Sequence, residues 1–164
     1  FDTWMYSEQL DDLQALLREH DRTKVVLDHL GTPIGAGGAY ASRRGGDRQR
    51  TIERWAADLE ALAAFEQLRG KISGLTMPVL GWPFGKREEP PSVTEVTDAL
   101  GPLVEAALKH FGPDRCLIAS NFPMDKAVVP WTTLYEAFAQ LTDSLGEEAQ
   151  RKLFHDNATA FYGL

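Results

Sequence analysis

Four short segments rich in β-branched and aromatic residues alternate with longer helical segments along this 164-residue chain. The strand segments are residues 1–6, 24–29, 71–75 and 115–120, and "KVVLDH" is the clearest of them. A strand–helix alternation repeated four times predicts a parallel sheet whose strands are joined by right-handed helical crossovers. The sequence therefore predicts an α/β fold, either a small open sheet or half of an eight-stranded barrel.

The helical segments carry apolar residues at spacings of three and four. In residues 51–69 the apolar positions are Ile52, Trp55, Leu59, Leu62 and Phe65, which form one face of an amphipathic helix. The next helix begins with the capping-box spacing of a serine and a glutamate in "SVTE", and its internal "GP" at 101–102 is expected to kink or split it. Pro130 is expected to be the first residue of the following helix, and residues 147–164 are expected to form the last one.

Charge and cysteine content exclude several classes of partner. The net charge of −7 disfavours nucleic acid or an anionic membrane surface, because both require clustered lysine and arginine. No apolar stretch reaches the roughly 20 residues that span a bilayer. The single cysteine, Cys116, excludes an intramolecular disulfide and is expected to be a core residue. We therefore expect a cytoplasmic protein that acts on a small molecule.

Polar side chains follow the strand segments, which is where ligands bind in both architectures. Val25, Leu27 and His29 share one strand face by the period of two, so we expect the imidazole to point into the mouth of the site and Asp28 to point away. The alternative is that His29 only caps the strand and forms a local hydrogen bond. The other strand units supply Asp2, Trp4, Lys71, Ser73, Asn121 and Asp125.

Common catalytic and cofactor motifs are missing from the sequence. The glycine-rich "GAGGAY" is not the phosphate-binding loop of a nucleotide-binding protein, and there is no H-E-x-x-H, C-x-x-C or G-x-S-x-G. His20, His110 and His155 lie in helical segments or at their ends, and we expect them to be surface or capping residues. The strand ends are therefore the principal candidates for chemistry.

Five segments, taken in order, resemble the C-terminal half of the amidohydrolase-related family. These metal-dependent-hydrolase barrels include sugar lactonases, pyrone dicarboxylate hydrolase and related decarboxylases. The resemblance covers essentially the whole chain, and "DHLG" followed at a distance by "SNFP" is specific in combination. The matching segments are "FDTWMYSEQLDDLQALL", "KVVLDHLGTPIG", "KISGL", "FGPDRCLIASNFPMDK" and "NATAFYGL".

The resemblance implies a (β/α)8 TIM barrel in which residues 1–164 form a single C-terminal half-barrel with strands five to eight. His29 then ends strand six, Asn121 stands where many members have the aspartate of an S-D-x-P motif, and Asp2 falls near the strand-five histidine of many members. A chain that starts at Phe1, inside a strand and without methionine, resembles a fragment. We expect it to pair with the missing N-terminal half or with a second copy of itself.

The leading functional interpretation from this resemblance is hydrolysis of a small cyclic ester, a sugar lactone or a carboxylated lactone, with no required cofactor. His29 is expected to polarise the carbonyl or shuttle a proton, and Asn121 to donate a hydrogen bond to the substrate or the oxyanion. Asp2 or Asp125 is the candidate base that orients water. The expected substrate-binding residues are Trp4, Ser73, Arg43, Arg44, Trp82 and Asp125.

Two alternatives stay open at this point. The first is a hydrolase or decarboxylase that depends on a divalent metal, with zinc held mainly by the missing half and with His29 and Asn121 as the candidate ligands of this chain. The second is a non-catalytic half-barrel that serves as a binding or assembly subunit. The arginines at 43, 44 and 48 are either a carboxylate-recognising cluster or a solvated loop, and Trp82 either stacks on a sugar or packs its loop.

Overall fold

A computed structural model describes residues 1–39 and 47–164 of the chain. Its four strands form one parallel sheet in the order β1-β2-β3-β4. The strands are β1 (Asp2–Trp4), β2 (Val25–Asp28), β3 (Leu68–Ile72) and β4 (Cys116–Ile118). The prediction of parallel strands that neighbour one another in chain order is confirmed.

Helices follow each strand, as the α/β pattern requires. They are α1 (Leu10–Glu19), α2 (Arg48–Leu62), α3 (Val93–Phe111), α4 (Trp131–Thr142) and α5 (Glu147–Arg151), which continues through a π-helical segment (Lys152–Asp156) into α6 (Asn157–Tyr162). Short 3₁₀ turns connect several of these elements. Pro130 is the N-cap of α4 rather than its first residue. Among the described residues, none of these helices combines the length and apolarity that crossing a membrane requires.

The largest differences from the predicted boundaries lie between α2 and β3. Helix α2 ends at Leu62 and not at residue 69, and β3 starts at Leu68 and not at 71. The guanidinium of Arg115 donates hydrogen bonds to the carbonyls of Ala63 and Phe65 just after this helix end. Tertiary contacts of this kind end a helix at a point that apolar spacing alone does not mark.

Helix α3 is one helix of 19 residues, although a split at Gly101 and Pro102 was possible from the sequence. Pro102 removes one backbone donor, but Leu100, Leu103 and Val104 on either side of it are buried in the core. The predicted capping box is present, since the Ser92 side chain accepts from the backbone of Glu95 while the Glu95 side chain accepts from the backbone of Ser92. Burial and capping thus hold the helix together across its proline.

The two faces of the sheet differ, and this corrects the predicted direction of the β2 side chains. Val25 and Leu27 pack into the hydrophobic core with residues of the helices, so they do not line a barrel interior. Asp28 lies on the opposite face, where it pairs with Lys71. Val26 and Leu117 lie outside that core cluster, yet they are only 0% and 3% exposed.

Candidate active site

The turn that follows β2 decides where His29 points. His29, Leu30 and Thr32 have φ angles of 55°, 50° and 37°, a left-handed conformation that costs energy in residues other than glycine. The indole N–H of Trp55 donates a buried hydrogen bond of 2.7 Å to the carbonyl of Leu30, which helps to hold the turn. Because the left-handed turn starts at His29, the period of two of the strand stops at Asp28, and the histidine ring is directed towards β3.

His29 is fixed against the end of β3. Its Nδ1 lies 2.7 Å from the hydroxyl oxygen of the buried Ser73. Gly74 lies beneath the ring, since a Cβ added to it would stand 2.6 Å from both Cγ and Nδ1 of His29. Partial burial lowers the pKa of His29 below its ordinary value of 6.5, against the opposing effect of the Asp28 charge. The imidazole is therefore neutral at pH 7, with Nδ1 bound and Nε2 free of any hydrogen bond to the described part of the protein.

Asn121 and Asp125 form a second pair, at the carboxyl end of β4. Asn121 has a left-handed backbone (φ 57°), and its Nδ2 donates a 3.0 Å hydrogen bond to Asp125 Oδ1. Asp125 is 0% exposed. Burial raises the pKa of its carboxyl group, while the neighbouring Thr76 and Asn121 oppose that rise. The structure thus places Asp125 beneath Asn121 and not on the open surface of the mouth.

Asp2 belongs to a polar network on the sheet face that turns away from the helices, and among the described residues no hydrogen bond joins it to His29. Lys71 Nζ lies 2.8 Å from Asp2 Oδ2 and 2.7 Å from Asp28 Oδ1, and the hydroxyl of Tyr162 donates a 2.6 Å hydrogen bond to Asp2. Although burial opposes the change, hydrogen bonds from Lys71 and Tyr162 hold the pKa of Asp2 below 3.8. Such a carboxylate is a weak proton acceptor, which argues against the predicted role of Asp2 as a base.

The aromatic candidates serve partly as loop supports. Trp4 is 54% exposed and donates from its indole nitrogen to Thr32 Oγ1. Trp82 donates to the carbonyl of Leu75, stacks on Phe84 at 5.9 Å and lies under the guanidinium of Arg48. Its N–H is therefore committed to the protein.

The loop arginines differ in what the structure shows of them. Arg48 is held in place, because its Nε donates to the carbonyl of Ala36. Arg43 and Arg44 lie outside the described residues, so their predicted part in substrate binding stays a prediction.

The described side chains do not form a complete metal-binding site. Within residues 1–39 and 47–164 there is no group of three or more histidine, cysteine, aspartate or glutamate side chains that could hold one. His29 could supply only one metal ligand, its Nε2 nitrogen. The side-chain amide of Asn121 already donates a hydrogen bond to Asp125. Cys116 is buried in the core, as predicted, and burial raises the pKa of its thiol to about 12.

Sequence reasoning named the main residues of the site but missed their partners. Ser73 was selected as a substrate-binding residue, whereas the structure shows it bound to His29. The strand period would have revealed that Lys71 and Asp2 can share a face. Nothing in the sequence signals Tyr162, which lies 160 residues from the carboxylate that it contacts.

The chain is similar to known proteins over nearly its full length. The profile of the Amidohydrolase family matches residues 4–164. An L-fucono-1,5-lactonase from Burkholderia multivorans is 34% identical over 125 residues, which are 76% of this chain and 37% of that protein. The uncharacterized protein y4mH from Sinorhizobium fredii is 28% identical over 162 residues, which are 99% of this chain and 46% of that protein. The chain thus spans about half the length of the curated relatives that it matches.

Solved structures agree with this similarity. A crystal structure of an amidohydrolase from Burkholderia multivorans with bound zinc superimposes with a TM-score of 0.79 at 26% identity, over 99% of this chain and 52% of that one. A putative 2-pyrone-4,6-dicarboxylic acid hydrolase from Pseudomonas putida, at 20% identity, shares the fold with a TM-score of 0.67, over 99% of this chain and 50% of that one. Because the family profile covers all but the first three residues, this chain belongs to the amidohydrolase family.

Proposed function

We propose that this chain forms the C-terminal half of a (β/α)8 amidohydrolase barrel, as a single structural unit, and that the barrel hydrolyses a small cyclic ester. The parallel sheet and the match to about half of each solved structure support the half-barrel. The relative named L-fucono-1,5-lactonase supports a lactone as substrate. Both a sugar lactone and a carboxylated lactone belong to this class.

The observation that carries the proposal is the contact between His29 and Ser73. The hydrogen bond between Nδ1 and the Ser73 hydroxyl sets the direction of the ring. In the tautomer that we assign to the reaction, Nδ1 carries the proton and donates to Ser73, and Nε2 is the proton acceptor. Burial keeps the imidazole neutral at pH 7, which is the form that can take a proton from water.

The reaction follows from these groups. Water attacks the lactone carbonyl carbon while His29 Nε2 accepts one of its protons, and the carbonyl oxygen takes up negative charge. The ring C–O bond then breaks, and the leaving alkoxide takes the proton back from the imidazolium. The product is a linear hydroxy acid, and His29 returns to its neutral form.

A metal-dependent variant of this chemistry is the second candidate. The solved amidohydrolase with bound zinc favours it. In such a case most of the ligands would come from outside this chain, because the described residues do not form a metal site. No step of the reaction given above passes through a metal.

The test uses the full-length protein that contains this chain, with L-fucono-1,5-lactone and a carboxylated lactone as substrates. His29→Gln should lower kcat/KM by roughly 10² to 10⁴, the usual effect of losing a positioned proton-transfer group. His20→Gln is the matched control, because His20 is an exposed residue at the end of α1. Folded His29→Gln protein with unchanged lactone kinetics would remove His29 from the mechanism.

A further inference from the structure

The side chain of Asn121 is held in one orientation by a neighbour that substrate does not reach. Its Nδ2 donates to Asp125 Oδ1 at 3.0 Å, and the backbone N–H of Asp125 donates back to the Asn121 carbonyl at 3.3 Å. The carboxylate is fully buried. A carboxylate accepts hydrogen bonds and does not donate them, so it selects the nitrogen end of the amide.

A second loop supports the carboxylate from the side of β3. Thr76 is fully buried beside Asp125 and favours its charged form. Neither Thr76 Oγ1 nor Asp125 Oδ2 has a hydrogen bond of good geometry. Of the two side-chain contacts of the Asp125 carboxylate, the one with Asn121 is therefore the one with hydrogen-bond geometry. Asp125 therefore lies between the segments that follow β3 and β4, close to the ends that also carry Ser73 and Asn121.

The amide oxygen is left as the free acceptor of this pair. With the nitrogen of a planar amide turned towards Asp125, Oδ1 points to the other side. Oδ1 has no hydrogen-bond partner in the described part of the chain, and the Asn121 side chain is half-buried at the carboxyl end of β4. An acceptor in this position matches a hydroxyl donor and repels a carboxylate.

We propose that Asp125 is a positioning residue that fixes the Asn121 amide with its oxygen towards the ligand, so that Asn121 accepts a hydrogen bond from a substrate hydroxyl group. This inference rests on the proposed lactone hydrolysis and narrows its substrate to a hydroxylated lactone of the sugar type. It replaces two sequence predictions, that Asn121 donates to the oxyanion and that Asp125 contacts the substrate. A carboxylated lactone would meet an unpaired acceptor at this position.

The experiment compares a hydroxylated 1,5-lactone with δ-valerolactone, which has the same ring without hydroxyl groups, in the full-length protein. The unmodified protein should prefer the hydroxylated lactone. Asp125→Asn should lower kcat/KM for that lactone by about 3- to 10-fold, mainly through KM, as expected for one neutral hydrogen bond. Its kcat/KM for δ-valerolactone should fall less, so that the preference between the two lactones narrows. Asp114→Asn, an exposed change of the same kind that removes a partner of Lys152, should affect neither substrate.

Two further variants separate positioning from a purely structural role. In the exchanged pair N121D/D125N, the amide at position 125 donates to one oxygen of the carboxylate at position 121. The other carboxylate oxygen remains as an acceptor for substrate, so the pair should restore the preference for the hydroxylated lactone. Asn121→Ala removes the acceptor and should abolish the preference while Asp125 itself stays in place, although it also removes the donor to Asp125 Oδ1. This variant provides the test if Asp125→Asn does not fold.

Equal losses on both lactones in Asp125→Asn, or an exchanged pair that shows no preference, would overturn the inference. An unmodified protein that hydrolyses both lactones equally well would also overturn it while the proposed function stands. An unmodified protein that hydrolyses no lactone would defeat the proposed function, and the inference would fall with it.

Discussion

At the scale of single residues, the position of the His29 ring depends on the absence of a side chain at Gly74. Gly74 has a φ of 62°, and a methyl group there would lie 2.6 Å from the ring. Gly74→Ala should therefore displace the imidazole from Ser73 and lower lactone kcat/KM, in addition to a backbone cost of about 1 kcal/mol. Steady-state kinetics and thermal unfolding measure the two effects separately.

Gly163→Ala is the control for that backbone cost, because Gly163 also has a positive φ (72°) but has no atom within 4 Å of an added Cβ. It should lose a similar amount of stability and keep full activity. Equal activity in the two variants would show that the contact between Gly74 and His29 has no catalytic role.

The residues of the site were largely predictable, but their directions were not. His29, Ser73 and Asn121 follow the ends of strands. The rule that ligands bind at the carboxyl ends of parallel strands therefore identified all three. The period of two failed at His29, because four consecutive residues from 29 to 32 adopt left-handed backbone conformations that the sequence signals only at the glycine. Whether Asn121 faces the site as a donor or as an acceptor depends on a buried carboxylate four residues later, and spacing does not reveal that.

At the scale of elements, Lys71 joins β3 to β1, β2 and the C-terminal helix. Lys71→Met should leave the Asp2 and Asp28 carboxylates close together without a cation and lower the free energy of unfolding by about 1–3 kcal/mol. Lys152→Met is the control, because its ion pairs with Asp114 and Glu148 are solvent-exposed and contribute little to stability. Urea unfolding of both variants measures the difference.

The same network predicts a pH dependence. The pKa of Asp2 is lowered in the folded chain, so its contribution to stability is present above 3.8 and is lost as the pH falls below that value. In Lys71→Met this acid-side loss should shrink, because Asp2 no longer has a cation to favour its charged form. An unchanged acid limb in the variant would show that Lys71 does not stabilise these groups.

Element boundaries show why periodicity alone is incomplete. It located α2, α3 and all four strands, and each of these except β1 buries an apolar face. It missed the end of α2, which the Arg115 contacts mark, and of the kink or split that it expected in α3 the split does not occur. The positions that it missed are those where a distant residue supplies the deciding contact.

At the scale of the whole molecule, the sheet has two edges, because β1 and β4 each pair with a single neighbouring strand. We propose that these edges pair with the other half of the barrel or with a second copy. The chain alone should then dimerise or aggregate, which light scattering measures. A monodisperse monomer with cooperative unfolding would contradict this proposal. A stable monomer would indicate that the Lys71 network shields the sheet face opposite the helices, where Val26 and Leu117 are already buried.

The most direct test of the central claim, that His29 takes a proton from water, is the pH dependence of lactone kcat/KM in the full-length protein. Because burial lowers the pKa of His29, activity should fall on acidification with an inflection below 6.5, and this acid limb should be lost in His29→Gln. An inflection above 6.5, or an identical acid limb in the variant, would contradict the account.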